Sequence, residues 1–426
     1  MERNDPRYQA YVEILKEELI PAMGCTEPIA LAYAAAKARE VLGVLPDSVQ
    51  LQVSGSIIKN VKSVIVPNTG HLKGMEAAVA AGIIAGSAEK ELEVISEVSE
   101  EKKSAIRDYL QTVPITIEHT EQGHVFDIVV TERCGQDYAR VRIADYHTNI
   151  CRIEKNGTVL YEVPLLDETV QEDTRADRSL LNMQDIWDFA ETADLRDVAD
   201  LLERQIRYNN AIAEEGLLGD YGANIGRVLL TTYGNDVSNR AKAKAAAGSD
   251  ARMNGCELPV IINSGSGNQG ITCSVPLIEY AKELHSGKEK LYRALIISNL
   301  VAIHEKTGIG TLSAYCGAVS AGAGAGAGIV YLCGDGYQAA IHTVVNALAI
   351  VSGIVCDGAK ASCAAKIASS VDAALLGYNM YKCNQEFKGG DGIVMKDIET
   401  TIKGIGHLGK DGMRQTNEEI IRLMMS

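Results

Sequence analysis

The chain has 426 residues, 46% of them hydrophobic and 23% charged, with a formal net charge of -15 and an isoelectric point near 5.1. That is too long for one ordinary core and apolar enough to fill two or three, so two domains are expected and extensive disorder is excluded. The acidic balance argues against nucleic acid, whose phosphates need concentrated Lys and Arg, and no window reaches the roughly 20 apolar residues of a membrane-spanning helix.

Met1 to Ile20 reads as a Glu-rich amphipathic helix without the apolar core and cleavage site of a signal peptide, so a cytoplasmic location is expected. Thiols stay reduced in that compartment, so the ten cysteines are not a disulfide framework. Helical periodicity runs from residue 5 to 43 on both sides of a break at Pro21 to Pro28. Pro28 suits the first turn of the second helix and Thr26 or Glu27 can cap it, which places Cys25 just before a helix N-terminus. Strands are predicted at Val49–Val53, Ile57–Val66, Ile115–His119, Val125–Thr131, Ala139–Asp145 and Ile150–Glu154, the last closing on the hairpin signal Asn156-Gly157. Helices are predicted at Gly74–Ala85 and Glu97–Leu110. Polar residues from Asp167 to Arg178 look like an exposed linker. Beyond it a long helical pattern, Met183–Leu217, opens a stretch with no clear strand. The expected architecture is therefore an α+β domain over 1–170 and an all-α helical bundle over 171–426.

Cys316, Cys356 and Cys363 are candidates for metal binding. Cys356 and Cys363 are seven apart, which on one continuous helix would be two turns and roughly 10 Å. Asp357-Gly358 between them instead puts the first on a loop and the second in the next helix, with the residues after Cys316 returning as a helical hairpin. Three thiolates hold a four-iron cluster with one iron free of protein ligands. By spacing alone, ordinary buried cysteine is an equal reading, and it is the reading given to Cys134, Cys151, Cys256, Cys333 and Cys383.

The stretch Ser264, Gly265, Ser266, Gly267, Asn268, Gln269 lies between an apolar run and a helix expected to start near Ser274. Its glycines free backbone N–H groups to face an anion, and an amino-acid carboxylate fits there; a plain interhelical turn is the weaker alternative. Ala321 to Gly328 alternates Ala and Gly without a phosphate-loop context and reads as close helix packing. His304 and Lys306, on the approach to Cys316, are either acid, base or carboxylate partners, or simply solvated charge.

Gly24–Pro28, Ser264–Gly270, His304–Lys306 with Tyr315–Gly317, and Cys356–Cys363 together resemble, over nearly the whole chain, the iron–sulfur L-cysteine desulfidases. That family is related to the iron–sulfur L-serine dehydratases, whose α region corresponds to the helical half. The resemblance implies a [4Fe-4S] cluster on Cys316, Cys356 and Cys363. It also implies a lyase that converts a small amino acid by β-elimination to pyruvate and ammonia, with sulfide lost from cysteine. Substrate contacts would come from Thr26, Glu27, Ser264 to Gln269, His304 and Lys306. Cys25 is the candidate base, because a helix N-terminus favours a thiolate. The chain departs from the serine dehydratases at Gly24–Pro28, in the close spacing of Cys356 and Cys363, and at Leu423 to Ser426, which offer no terminal cysteine. Cysteine and serine therefore both remain as substrates. A homo-oligomer is compatible with the sequence. A pyridoxal phosphate lyase using Lys360 or Lys306 lacks a phosphate cup, and a non-catalytic binding protein of the same fold leaves the cysteine set without a purpose.

Overall fold

The computed structural model describes residues 1–120, 124–165, 175–310 and 312–425. In chain order the N-terminal part comprises α1 (Pro6–Glu18), β1 (Pro21–Met23), α2 (Thr26–Leu42), β2 (Ser48–Ser54), α3 (Gly55–Val61), α4 (Gly74–Ala85), α5 (Glu100–Thr112), β3 (Ile115–Thr120), β4 (Asp127–Cys134), β5 (Asp137–Ala144), β6 (Ile150–Lys155) and β7 (Thr158–Glu162). After it come α6 (Met183–Thr192), α7 (Ala199–Leu218), α8 (Ile225–Tyr233), α9 (Val237–Met253), β8 (Pro259–Ile261), α10 (Gly267–Glu283) and α11 (Lys288–Ile309). The chain ends with α12 (Gly317–Cys333), α13 (Tyr337–Val351), α14 (Ser362–Lys382), α15 (Ile398–His407) and α16 (Arg414–Met425). This is the expected α+β region followed by a mostly helical one. Most of the expected linker lies outside the described residues. No helix among the described residues is long and apolar enough to cross a membrane.

The sheet has the order β3-β2-β4-β5-β6-β7, with β2 and β3 parallel and the other pairs antiparallel. A parallel pair needs a crossover, and α3, α4 and α5 supply it. Alternation puts Leu51, Val53, Ile128, Val130, Val141 and Ile143 on the buried face, against which α2 packs. The β6–β7 hairpin turns at Asn156 and Gly157, both with positive φ (50° and 82°), as the sequence predicts.

Three expectations are corrected. Ile57–Val66 begins as helix α3, because Ile57, Ile58 and Val61 recur at helical spacing; all seven residues of α3 are buried, which makes its β-branched run look like a strand. The pattern over Met183–Leu217 breaks into α6 and α7 near Ala193-Asp194. Among the described residues the helical half also holds one short strand, β8, paired antiparallel with β1 so that Pro21 faces Ile261 and Met23 faces Pro259. That pairing, with Arg7 of α1 bound to Asp185 at 2.9 Å, carries the start of the chain onto the helical half.

Helix α12 lies among α10, α11, α13 and α14. Its glycines permit this: a Cβ on Gly324 would come 2.4 Å from the Ser298 carbonyl oxygen of α11, and one on Gly326 would come 2.8 Å from Ala374 of α14. Backbone cannot yield as a side chain tip does. Gly324→Ala should therefore lose about 1–3 kcal/mol to overpacking, more than the roughly 1 kcal/mol that alanine gains in a helix. A fall in the thermal midpoint is expected, and an unchanged or higher midpoint would refute the tight α11–α12 contact.

Candidate functional site

The sequence-predicted cysteines meet where several helices begin. Cys316 is the N-cap of α12, and Cys356 follows α13. An antiparallel bridge, Tyr315 to Val355, ties the two segments: Cys316 N–H donates to the Ile354 carbonyl (3.1 Å) and Cys356 N–H to the Ala314 carbonyl (2.6 Å). Helices α12 and α13 are the expected hairpin. Cys363 is the second residue of α14, its Sγ 3.6 Å from the Gly358 carbonyl oxygen. Burial pushes the Cys316 thiol up to about 12, and the neighbouring Cys356 and Cys363 add to the shift. Cys363 is raised by burial, with Cys356 again adding.

Lysines face the same group. Burial pulls Lys306 down to about 8, while Cys356 and Cys316 oppose the fall. Lys59, 2% exposed, is also lowered by burial, and its Nζ donates to Asn417 (2.7 Å) and to the Cys356 carbonyl (3.3 Å). Lys366 donates to the Val355 carbonyl (2.8 Å); burial opposes its charge, but Asp357 outweighs burial and raises it.

Cys25 arrives from the other half of the chain. The β1–β8 pairing delivers it, and Gly24 makes the turn with φ +65°, where a Cβ would stand 2.7 Å from Pro67. Cys25 is the N-cap of α2, buried with Val64 and Met253, and Ala359 and Cys363 pack against that group. Its Sγ lies 3.7 Å from Met253 Sδ. The expected thiolate preference at the helix start is overridden: burial pushes the thiol up to about 12, with Arg252 pulling the other way.

A polar wall adjoins the sulfurs. Thr26 Oγ1 donates to the Gly265 carbonyl (3.0 Å), and Asn60 Nδ2 to Glu27 Oε1 (2.9 Å). Burial works to raise Glu27, but His147 and the Arg252 charge outweigh it and hold the carboxyl at about 2. His147 Nε2 stands 3.9 Å from Glu27 Oε1, an ion-pair distance rather than a hydrogen bond. Helix α10 begins at Gly267, not near Ser274, so Gly267, Asn268 and Gln269 form its first turn, with Ser266 as N-cap. Short-range turn residues in the stretch conceal that start. Ser264 Oγ donates to Asn263 Oδ1 (2.9 Å). A Cβ on Gly317 would meet the Gln269 amide at 2.6 to 2.8 Å, so Gln269 lies beside the start of α12 and next to Cys316.

His304 is not brought in. It binds Glu399 of α15 at 2.8 Å, and two positions on a helix turn it roughly 200° from Lys306. Sequence reasoning missed Lys59, Asn60, His147 and Arg252. His147 carried the one usable signal, a histidine in a short connection between strands β5 and β6.

Among the described residues no three or more His, Cys, Asp or Glu side chains are close enough to hold a single metal ion. The ligands of an iron–sulfur cluster bind different irons and stand wider apart than the ligands of one ion. The donor set fits such a cluster: three thiols with lysines beside them, where Cys316 caps one helix and Cys363 lies in the first turn of another. Helix N-termini and ammonium groups both favour an anionic assembly.

The profile of the serine dehydratase alpha chain family matches residues 89–422, a span holding Cys316, Cys356, Cys363, Lys306 and the Ser264–Gln269 stretch but not Cys25. A UPF0597 protein of Desulfitobacterium hafniense (strain Y51) is 61% identical over 100% of this chain and 99% of its own. Another, of Lachnoclostridium phytofermentans, is 52% identical over 98% of this chain and 100% of its own, and one of Treponema denticola is 46% identical over 100% of both. The chain belongs to the serine dehydratase alpha chain family, related to the iron–sulfur serine dehydratases. Membership points to serine-dehydratase-like lyase chemistry.

Proposed function

We propose that the protein is an iron–sulfur lyase that eliminates the β-substituent of a small L-amino acid, with L-cysteine as the preferred substrate and pyruvate, ammonia and sulfide as products. The observation that carries the reading is the arrival of Cys25 beside Cys363. Cys25, Val64 and Met253 form a buried group there with Ala359 and Cys363 packed against it, a sulfur-bearing apolar surface that suits a soft thiol.

When bound, a cluster on Cys316, Cys356 and Cys363 supplies an iron without a protein ligand, a Lewis acid for the departing group. Residues of the chain do the rest. Backbone N–H groups at the start of α10 face the carboxylate. Glu27, ionised, balances the α-ammonium. Cys25 Sγ, once ionised to the thiolate, takes the α-proton as the carbon–sulfur bond breaks, and the resulting enamine tautomerises and hydrolyses. The family match favours serine as the second reading.

The test is anaerobic reconstitution with iron and sulfide, followed by pyruvate assays on both amino acids. Cysteine should exceed serine in kcat/KM by at least about tenfold, one step of 1.4 kcal/mol. The reverse ranking selects the serine reading. No pyruvate from either, at full iron content, would sink the lyase assignment.

A further inference from the structure

Arg252 closes α9 and is 3% exposed. Its Nη1 donates to Asn268 Oδ1 at 3.2 Å, while its Nε is buried without a partner among the described residues. The guanidinium crosses the start of α10, since a Cβ on Gly267 would stand 2.2 Å from Nε. Among the described residues no carboxylate lies within ion-pair distance of it; Glu27 feels its charge only at longer range and hydrogen-bonds Asn60 instead. A guanidinium stays charged at any working pH, and leaving that charge buried and unpaired is costly. An anion from outside the chain would complete it, and the planar fork matches a carboxylate.

Other unpartnered atoms at the site have the opposite polarity. Among the described residues Asn60 Oδ1 and Gln269 Oε1 are buried acceptors with no donor, each amide being oriented by its nitrogen: Asn60 Nδ2 on Glu27 (2.9 Å) and Gln269 Nε2 toward the Ser264 carbonyl (3.5 Å). One unmet cationic donor and two unmet neutral acceptors in one wall are the complement of a zwitterion.

We propose that Arg252 is the carboxylate clamp of the site and that the site takes a free α-amino acid with both ends charged, rejecting carboxyl-blocked and decarboxylated analogues. The proposal rests on the amino-acid lyase reading. L-Alanine carries both charges and no leaving group, so its binding to the anaerobic holoenzyme can be measured by calorimetry against alaninamide and ethylamine. Wild type should prefer alanine by about 100-fold, the usual cost of removing one partner of a buried charge pair. In Arg252→Gln that preference should fall to about tenfold or less, with KM for the substrate raised, iron content unchanged and kcat less affected than KM. Arg252→Lys should lie between. Retention of the full preference by a folded, iron-replete Arg252→Gln overturns the clamp. If that variant does not fold, equal binding of alanine and alaninamide by wild type overturns it alone. Preference for alanine without pyruvate from cysteine or serine would sink the lyase reading and leave the clamp standing. Pyruvate with a preference indifferent to Arg252 would do the reverse.

Discussion

Replacing Cys316, Cys356 or Cys363 by alanine, one at a time, should remove iron and turnover together. The three sit on separate segments, the N-cap of α12, the loop after α13 and the first turn of α14, and Cys316 feels both other thiols while Cys363 feels Cys356. Removing one leaves too few thiolates to retain a cluster that already has one iron without a protein ligand. Turnover should drop by more than about 100-fold, since even outer partners of metal ligands cost up to that much. Iron, acid-labile sulfide, visible absorption and pyruvate are to be measured on the same anaerobic sample. Any variant that keeps full iron and full rate removes that residue from the ligand set. The fold should survive, because the hydrophobic core extends through both halves of the chain and Cys316 is only one small member of it, with Cys356 packed against its edge.

Local features were legible and long-range ones were not. Helix α4 occupies Gly74–Ala85 as its periodicity predicts, and the Ala/Gly alternation of α12 reads as close packing because small residues have no other use in a buried helix. Helix α3 was misread because a helix buried all round has no polar face to mark its period. Helix α11 poses the same problem: most of its turns from Ala294 to Ile303 are buried, so periodicity could not say that Lys306 faces the cysteines and His304 faces α15. Arg252, His147 and Lys59 join the site only through pairings distant in sequence, such as β1 with β8 and Lys59 of α3 with Asn417 of α16. No local pattern distinguishes an arginine that ends a helix in solvent from one that ends it with an unpaired, buried Nε.

Cys25→Ser should keep iron and spectrum but lose most of the rate. Cys25 lies outside the segments that carry the three proposed ligands, yet it is delivered to them by a turn that only glycine accommodates at Gly24. A serine hydroxyl is far less acidic than a thiol and cannot take a proton near neutral pH, so a loss within the usual 10² to 10⁴ range of general base catalysis is expected, roughly. The pH profile adds a second reading. Burial pushes the thiol up to about 12, so below that value the thiolate fraction grows about tenfold per pH unit. Wild-type kcat/KM should therefore climb between about pH 7 and 9, and the serine variant should lose that slope. Iron lost in parallel with rate would make Cys25 a fourth ligand. A rate unchanged in the variant would leave Cys25 as packing against Met253 and Val64 and move the base elsewhere in the site.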